Sequence, residues 1–240
     1  MEKTLEKKIL NVLEFYLTTN ELKNVPRTGW VLWGIDENKA EKVAAHVYAC
    51  QQLAYAIWSE FEVPVNIDRV IMMLAFHETE EPIIGDMPLV HKYKQYKDEM
   101  GKIAVSSVTE NLSKNSYIRE LIKEFEEQKT PEAKFARFID KLECDLQSKI
   151  YDEEGLVDMH NQENNPCAKV LFYAERIARE CGFSETWMEY GREKYGYPKE
   201  LNDISEYAQH ANLHEIKETH MGKAKAKVKA FLDRVVKKDQ

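Results

Sequence analysis

His46, the His77-Glu78 pair and Asp140 each sit within an apolar, helix-like stretch of the chain. Imidazole and carboxylate groups turned toward a core need compensation there. A divalent metal is the simplest compensation, because it takes deprotonated N and O ligands from separate elements. Four ligands on three helices leave coordination positions for water and substrate, which is the form of a catalytic site. Glu81 lies four residues past His77, so on a continuous helix the two share a face. A carboxylate there can orient or deprotonate an attacking water.

The elements that must position these groups can be read from apolar spacing. Val43, Val47, Cys50, Ala54, Ile57 and Phe61 predict a helix over about 37–61, capped by Asp36, with His46 one turn before Cys50. Ile67, Val70, Ile71 and Leu74 predict a second helix, capped by Asn66 or Asp68 and running to about 80, with His77 continuing its stripe. EPIIGDMP at 81–88 breaks the pattern. Thr130-Pro131 starts a third helix, on which Ala136, Ile139, Glu143, Leu146 and Ile150 follow one another, with Asp140 inside it. An amphipathic helix over 3–18 carries a stripe of Leu5, Ile9, Val12, Leu13 and Tyr16. Residues 20–36 read as an ordered loop. Further helices are expected over 90–113 and 116–128, with three or four more from 166 onward, the last over about 213–236.

Few glycines (9) and prolines (7), with 43% hydrophobic and 32% charged residues, favour helix throughout the 240 residues. That length suits one large domain or a domain with an extension. A formal net charge of -8 argues against a nucleic-acid polymer as partner. Cys50, Cys144, Cys167 and Cys181 form no C-x-x-C pair and read as reduced core residues of a cytoplasmic protein. MEKTLEKKIL has neither an apolar signal core nor a cleavage site, and no stretch is long enough to span a bilayer. The expectation is therefore a chain with no membrane partner.

Four ordered blocks resemble the HD-domain metal phosphohydrolases, and among them the 5'-deoxynucleotidases. These are PRTGWV (26–31), ENKAEKVAAH (37–46), MMLAFHETEEPIIGDMP (72–88) and EFEEQKTPEAKFARFIDKLECDLQ (124–147). The resemblance covers roughly 24–153. It implies an all-α HD-type core over those residues; beyond about 155 the spacing pattern alone predicts a helical extension to 240, and the two are taken together as a single domain. It implies hydrolysis of the 5'-phosphate of a (deoxy)nucleoside monophosphate with one divalent metal, Mn, Co, Fe or Zn, held by His46, His77, Glu78 and Asp140. Glu81 and Asp86 take the family's two catalytic acidic positions. Arg27 matches a loop arginine able to fork a phosphate, and Lys92 resembles a lysine near the site. A homodimer is expected from the resemblance and from the frequency of two-fold assemblies.

Trp30 is a candidate for the nucleoside pocket, because aromatic faces suit bases; packing is the competing role for it. Glu78 departs from the family pattern, which carries an aspartate there. The added methylene shifts the carboxylate by about the length of a C–C bond, enough to alter metal preference. AAH at 44–46 and Val47 depart as well, at positions around the imidazole. Two other readings remain open at this point. One is a non-catalytic nucleotide-binding HD protein, against which Glu81 and Asp86 argue. The other is an HD hydrolase acting on a nucleoside triphosphate or a phosphodiester.

Overall fold

The computed structural model describes residues 4–88, 90–170, 175 and 179–236. Expectations falling on the remaining positions, which include parts of the segment after 166 and the last four residues of the basic tail, lie outside it. The described residues form helices α1 (Leu5–Asn20), α2 (Thr28–Leu32), α3 (Val43–Phe61), α4 (Ile67–Phe76), α5 (Glu81–Ile84), α6 (Lys97–Thr109), α7 (Asn115–Glu127), α8 (Pro131–Glu153), α9 (Pro166–Val170), α10 (Phe183–Tyr195), α11 (Lys199–His210) and α12 (Leu213–Val236). No strand occurs among the described residues. The protein is all-α, as its composition predicts.

The long helix α8 is the axis of the fold. Thr130 caps it, accepting from the Ala133 N–H at 3.2 Å, and Pro131 occupies the first turn, where its missing N–H costs nothing. Its apolar side, including Ala136, Ile139 and Leu142, packs with Cys50, Ala54 and Ile57 of α3, Val70, Met73 and Leu74 of α4, and Leu121 and Phe125 of α7. A second cluster joins Trp30, Trp33 and Ile35 to Tyr151 of α8 and Phe183 of α10. The first cluster holds α3, α4 and α8 together, the helices on which the chemistry-bearing residues were placed, and the second fastens the Trp30 segment and α10 to α8.

The structure corrects three expectations. Residues 36–42 are not helical, and α3 begins at Val43. Arg27 N–H donates to the Glu41 carbonyl and Val43 N–H to the Val25 carbonyl, each at 2.9 Å, so this segment pairs with the Arg27 loop instead. Asp36 accepts from the Asn38 N–H within that turn and caps no helix. The segment 90–113 is also shorter as a helix: one 3-10 turn (Lys94–Tyr96) precedes α6. On α1 the apolar stripe faces solvent, with Leu5 74% and Val12 61% exposed. The packed face instead carries Asn11, whose amide donates to the Asn111 carbonyl at 2.9 Å, and Phe15.

Candidate metal centre

His46 lies in the first turn of α3 and is fully buried. Its Nδ1 is 2.6 Å from Glu143 Oε2 and, facing a carboxylate, must donate. That leaves Nε2, 3.2 Å from Asp140 Oδ1, as the nitrogen for a metal; burial and Arg27 oppose protonation of the ring, but Cys50, Glu143 and Asp140 raise its pKa well above the ordinary value, so a cation bound there would displace the Nε2 proton. His77 follows α4 at its C-terminal cap. Its Nδ1 donates to the Leu74 carbonyl at 2.8 Å, which likewise leaves Nε2 for a metal. Burial holds this imidazole below its ordinary pKa. Two helices thus turn the same nitrogen of two histidines toward the same space.

The carboxylates complete the cluster. Asp140 projects from α8, with Oδ1 4.0 Å from His77 Nε2, and Glu78 Oε1 lies 3.6 Å from that nitrogen. Burial opposes ionisation of Glu78, but His77, Arg27 and Lys97 outweigh it and hold its carboxyl down at about 2. Burial also opposes ionisation of Asp140, and Lys141 and His46 hold its carboxyl well below the usual range. One ligand atom from each of His46, His77, Glu78 and Asp140 fits within a span of 4.8 Å. His77 Nε2 and Asp140 Oδ1 are buried with no hydrogen-bond partner among the described residues. Unpaired buried acceptors are costly, and here they converge, so the residues fit a divalent cation.

The two further acids sit beside this cluster by different routes. His77–Glu80 form a turn rather than the end of a continuous helix, so Glu81 does not share a helix face with His77. It opens the separate helix α5, buried at 1% exposure, with neither carboxyl oxygen hydrogen-bonded among the described residues. Burial, then Glu78 and Asp86, push its carboxyl up to about 10. Lys97 Nζ lies 3.8 Å from Glu81 Oε1. Gly85 then turns the chain at φ 72°, ψ 167°, a region essentially reserved for glycine. The turn brings Asp86 to the start of α2, where its Oδ2 accepts from the Thr28 N–H at 2.6 Å.

Arg27 lies on the inner wall, with Nη1 3.4 Å from Glu78 Oε1 and Nη2 3.1 Å from Cys144 Sγ. Arg27, His77, Glu78, Glu81, Asp86, Lys97, Asp140 and Cys144 line one cavity of about 540 Å³, with His46 and Glu143 behind its wall. Its size suits a small-molecule ligand. Trp30 touches the cavity but is only 2% exposed, wedged against Tyr151, Phe183 and Trp187. Lys92 does not line the cavity: it is exposed, with its ammonium 4.7 Å from the centroid of the Tyr93 ring. The lysines that do line it from this region are Lys94 and Lys97. Nothing in the local sequence separates these from Lys92, since the intervening turn has no periodicity. Sequence reasoning also missed Arg137 and Lys141, whose cationic groups lie 3.2 and 2.9 Å from Asp140 Oδ2. Their i-3 and i+1 spacing around Asp140 was the available signal.

The HD domain family profile matches residues 19–178, about two thirds of the chain. The chain belongs to the HD domain family. The match runs past residue 153, where the resemblance in the sequence had ended. Among relatives of this HD protein, the 5'-deoxynucleotidase HDDC2 of Danio rerio is 33% identical over 149 residues, 60% of this chain and 70% of that protein. The 5'-deoxynucleotidase hdd1 of Schizosaccharomyces pombe is 34% identical over 154 residues, 61% of this chain and 75% of that one. The solved structure of a predicted metal-dependent phosphohydrolase from Magnetospirillum magnetotacticum superposes with a TM-score of 0.57 at 21% identity, covering 87% of this chain and 97% of that one. That likeness supports the all-α fold. No helix among the described residues is long and apolar enough to cross a membrane.

Proposed function

We propose that this HD-domain protein is a phosphoric monoester hydrolase that removes the 5'-phosphate from (deoxy)nucleoside monophosphates with one divalent metal. The observation that carries the reading is the convergence of His46, His77, Glu78 and Asp140 within 4.8 Å at the wall of a cavity. Membership of the HD family and the relatives' naming as 5'-deoxynucleotidases support the reaction class. Those four residues hold the metal. When bound, it supplies a Lewis acid for a phosphoryl oxygen and an acidified water. Mn, Co, Fe and Zn all suit this N/O ligand set.

The rest of the chemistry belongs to side chains. Arg27 presents a guanidinium fork to the phosphate from the cavity wall. Neither oxygen of Glu81 has a hydrogen-bond partner among the described residues, so its carboxyl can exchange a proton with the attacking water. A cation at the neighbouring cluster lowers the proton affinity of Glu81 toward the working range. Asp86, fixed by the Thr28 N–H, is the acid placed for the leaving 5'-oxygen. Lys97 and Lys141 add positive charge where a phosphate dianion arrives. Lys92 has no place in this reading, and Trp30 acts through Trp187, which covers it.

A homodimer and a cytoplasmic location belong to the same reading. The exposed stripe on α1 offers an apolar surface for a second copy, and the four cysteines form no disulfide among the described residues.

Phosphate release is the test, measured on nucleoside mono-, di- and triphosphates with Mn, Co, Fe and Zn added in turn. Turnover confined to monophosphates is the expected result. Preference for triphosphates, or nucleotide binding with no turnover under any metal, contradicts it.

A further inference from the structure

Helix α10 lies wholly beyond residues 19–178 that match the HD family profile, yet it forms one wall of the catalytic cavity. Trp187, Tyr190, Lys194 and Tyr195 all line that cavity. The first three are spaced i, i+3 and i+7, so they make one stripe down the helix. Phe183, one turn before Trp187 on the same face, and Met188 on another side of the helix are fully buried and fix α10 in place.

The ends of this stripe are anchored at the two ends of the site. At one end Trp187 stands against Trp30, ring centroids 4.8 Å apart, three residues past Arg27. Trp30 is sealed, whereas Trp187 is only half-buried, so of this pair Trp187 is the one that offers an aromatic surface to the cavity. Its indole N–H is buried with no acceptor among the described residues. At the other end the Lys141 ammonium lies 2.9 Å from Asp140 Oδ2 and 5.9 Å from the centroid of the Tyr195 ring. One side chain therefore spans the gap between the metal cluster and α10, about the reach of a sugar carrying its base away from a 5'-phosphate.

We infer that α10 is the nucleoside-selecting wall of this enzyme, with Trp187 and Tyr195 taking the flat faces of base and sugar and Lys194 donating to an acceptor on the base edge. The chemistry on the wall fits that occupant. Aromatic faces stack any base. Lysine and the indole N–H are donors only and call for carbonyl or ring-nitrogen acceptors. Lys194 is exposed in the free protein, so its use costs no desolvation until a ligand arrives. This inference rests on the monophosphatase reading above.

The test compares metal-loaded wild type, Lys194→Ala and Trp187→Phe. The KM for each deoxynucleoside monophosphate is measured beside the inhibition constant of inorganic phosphate, which reports only the metal end. The expected result is a rise in nucleotide KM of about tenfold in one or both variants, the scale of partial loss of a base contact, unequal among the bases, with phosphate inhibition held within about twofold. Trp187→Phe keeps an aromatic ring in the packed position, and Lys194→Ala alters an exposed side chain, so both variants fold. Unchanged nucleotide KM in both variants overturns the inference and leaves the monophosphatase reading standing. Parallel rises in KM and in the phosphate constant overturn it too, because α10 would then act only by holding the metal end in shape. A wild-type enzyme that turns over no monophosphate removes both.

Discussion

The Glu143 carboxylate grips His46 from behind: Oε2 lies 2.6 Å from Nδ1, on the side of the ring opposite Asp140. The pair is buried, and both residues belong to the core helices α3 and α8. Glu143 therefore sets which nitrogen of His46 is left for a metal and where it points. Partners of this kind are worth about 10–100-fold in metal affinity. Glu143→Ala should weaken metal binding by a factor in that range, and Glu143→Gln, which still accepts a hydrogen bond, by less. Titration with a competing chelator reads this, and equal affinities in wild type and Glu143→Ala would make the pair a packing feature only.

Glu81→Ala should keep the metal and lose turnover. General acid–base groups contribute about 10²–10⁴-fold, so kcat should fall within that range at full metal occupancy. A change confined to KM would assign Glu81 to substrate binding instead.

Glu78→Asp should remain active with an altered order of preference among Mn, Co and Zn, because the carboxylate withdraws by one methylene. Activity measured with each metal before and after the substitution checks this. Identical metal content in Glu78→Ala would remove Glu78 from the ligand set.

Gly85→Ala should destabilise the protein by about 1–3 kcal/mol, because φ 72° with ψ 167° is strained for any residue bearing a Cβ. Space is not the obstacle, since nothing lies within 4 Å of the added atom. Denaturant unfolding measures the loss, and kcat should fall with it as Asp86 leaves the Thr28 N–H. An unaltered midpoint would show that the turn relaxes freely.

Much of this architecture is legible in the sequence because apolar spacing reports helices directly. The α8 start is written in Thr130-Pro131, and Asn66 caps α4 as its position suggests, accepting from the Arg69 N–H at 3.2 Å. The His46, His77, Glu78 and Asp140 cluster is legible because polar groups on buried helix faces stand out against their neighbours. What the sequence hides is long-range pairing. The strand-like pairing of 25–27 with 41–43 shortens α3, and no local pattern announces it. Trp187 covers Trp30 from 157 positions away, so the aromatic that faces the cavity is not the one beside the motif. The α1 stripe has the spacing of a core helix and yet lies on the surface, because periodicity says that a face is apolar but not what covers it.

Asp145 gives a pH-dependent test outside the metal centre. Its carboxylate accepts from the Tyr197 hydroxyl at 2.9 Å, joining α8 to the segment after α10. Burial, the largest cause, raises its pKa well above the usual carboxylate range. Folding thus favours its protonated form. That contribution is complete below the unfolded value of about 4 and is lost as pH rises through the folded value. Asp145→Asn retains an acceptor for Tyr197 and cannot ionise. The stability of the variant should therefore gain on that of wild type as pH increases from 5 to 8. Thermal unfolding curves that stay parallel across that window would contradict this.

The central claim is that His46, His77, Glu78 and Asp140 form one metal site. The most direct measurement is the metal content of purified His46→Ala, His77→Ala and Asp140→Ala beside wild type, with circular dichroism to confirm that each variant keeps its helices. The account predicts about one divalent ion per wild-type chain and none retained in any of the three folded variants. Wild-type stoichiometry in any two of them would contradict it.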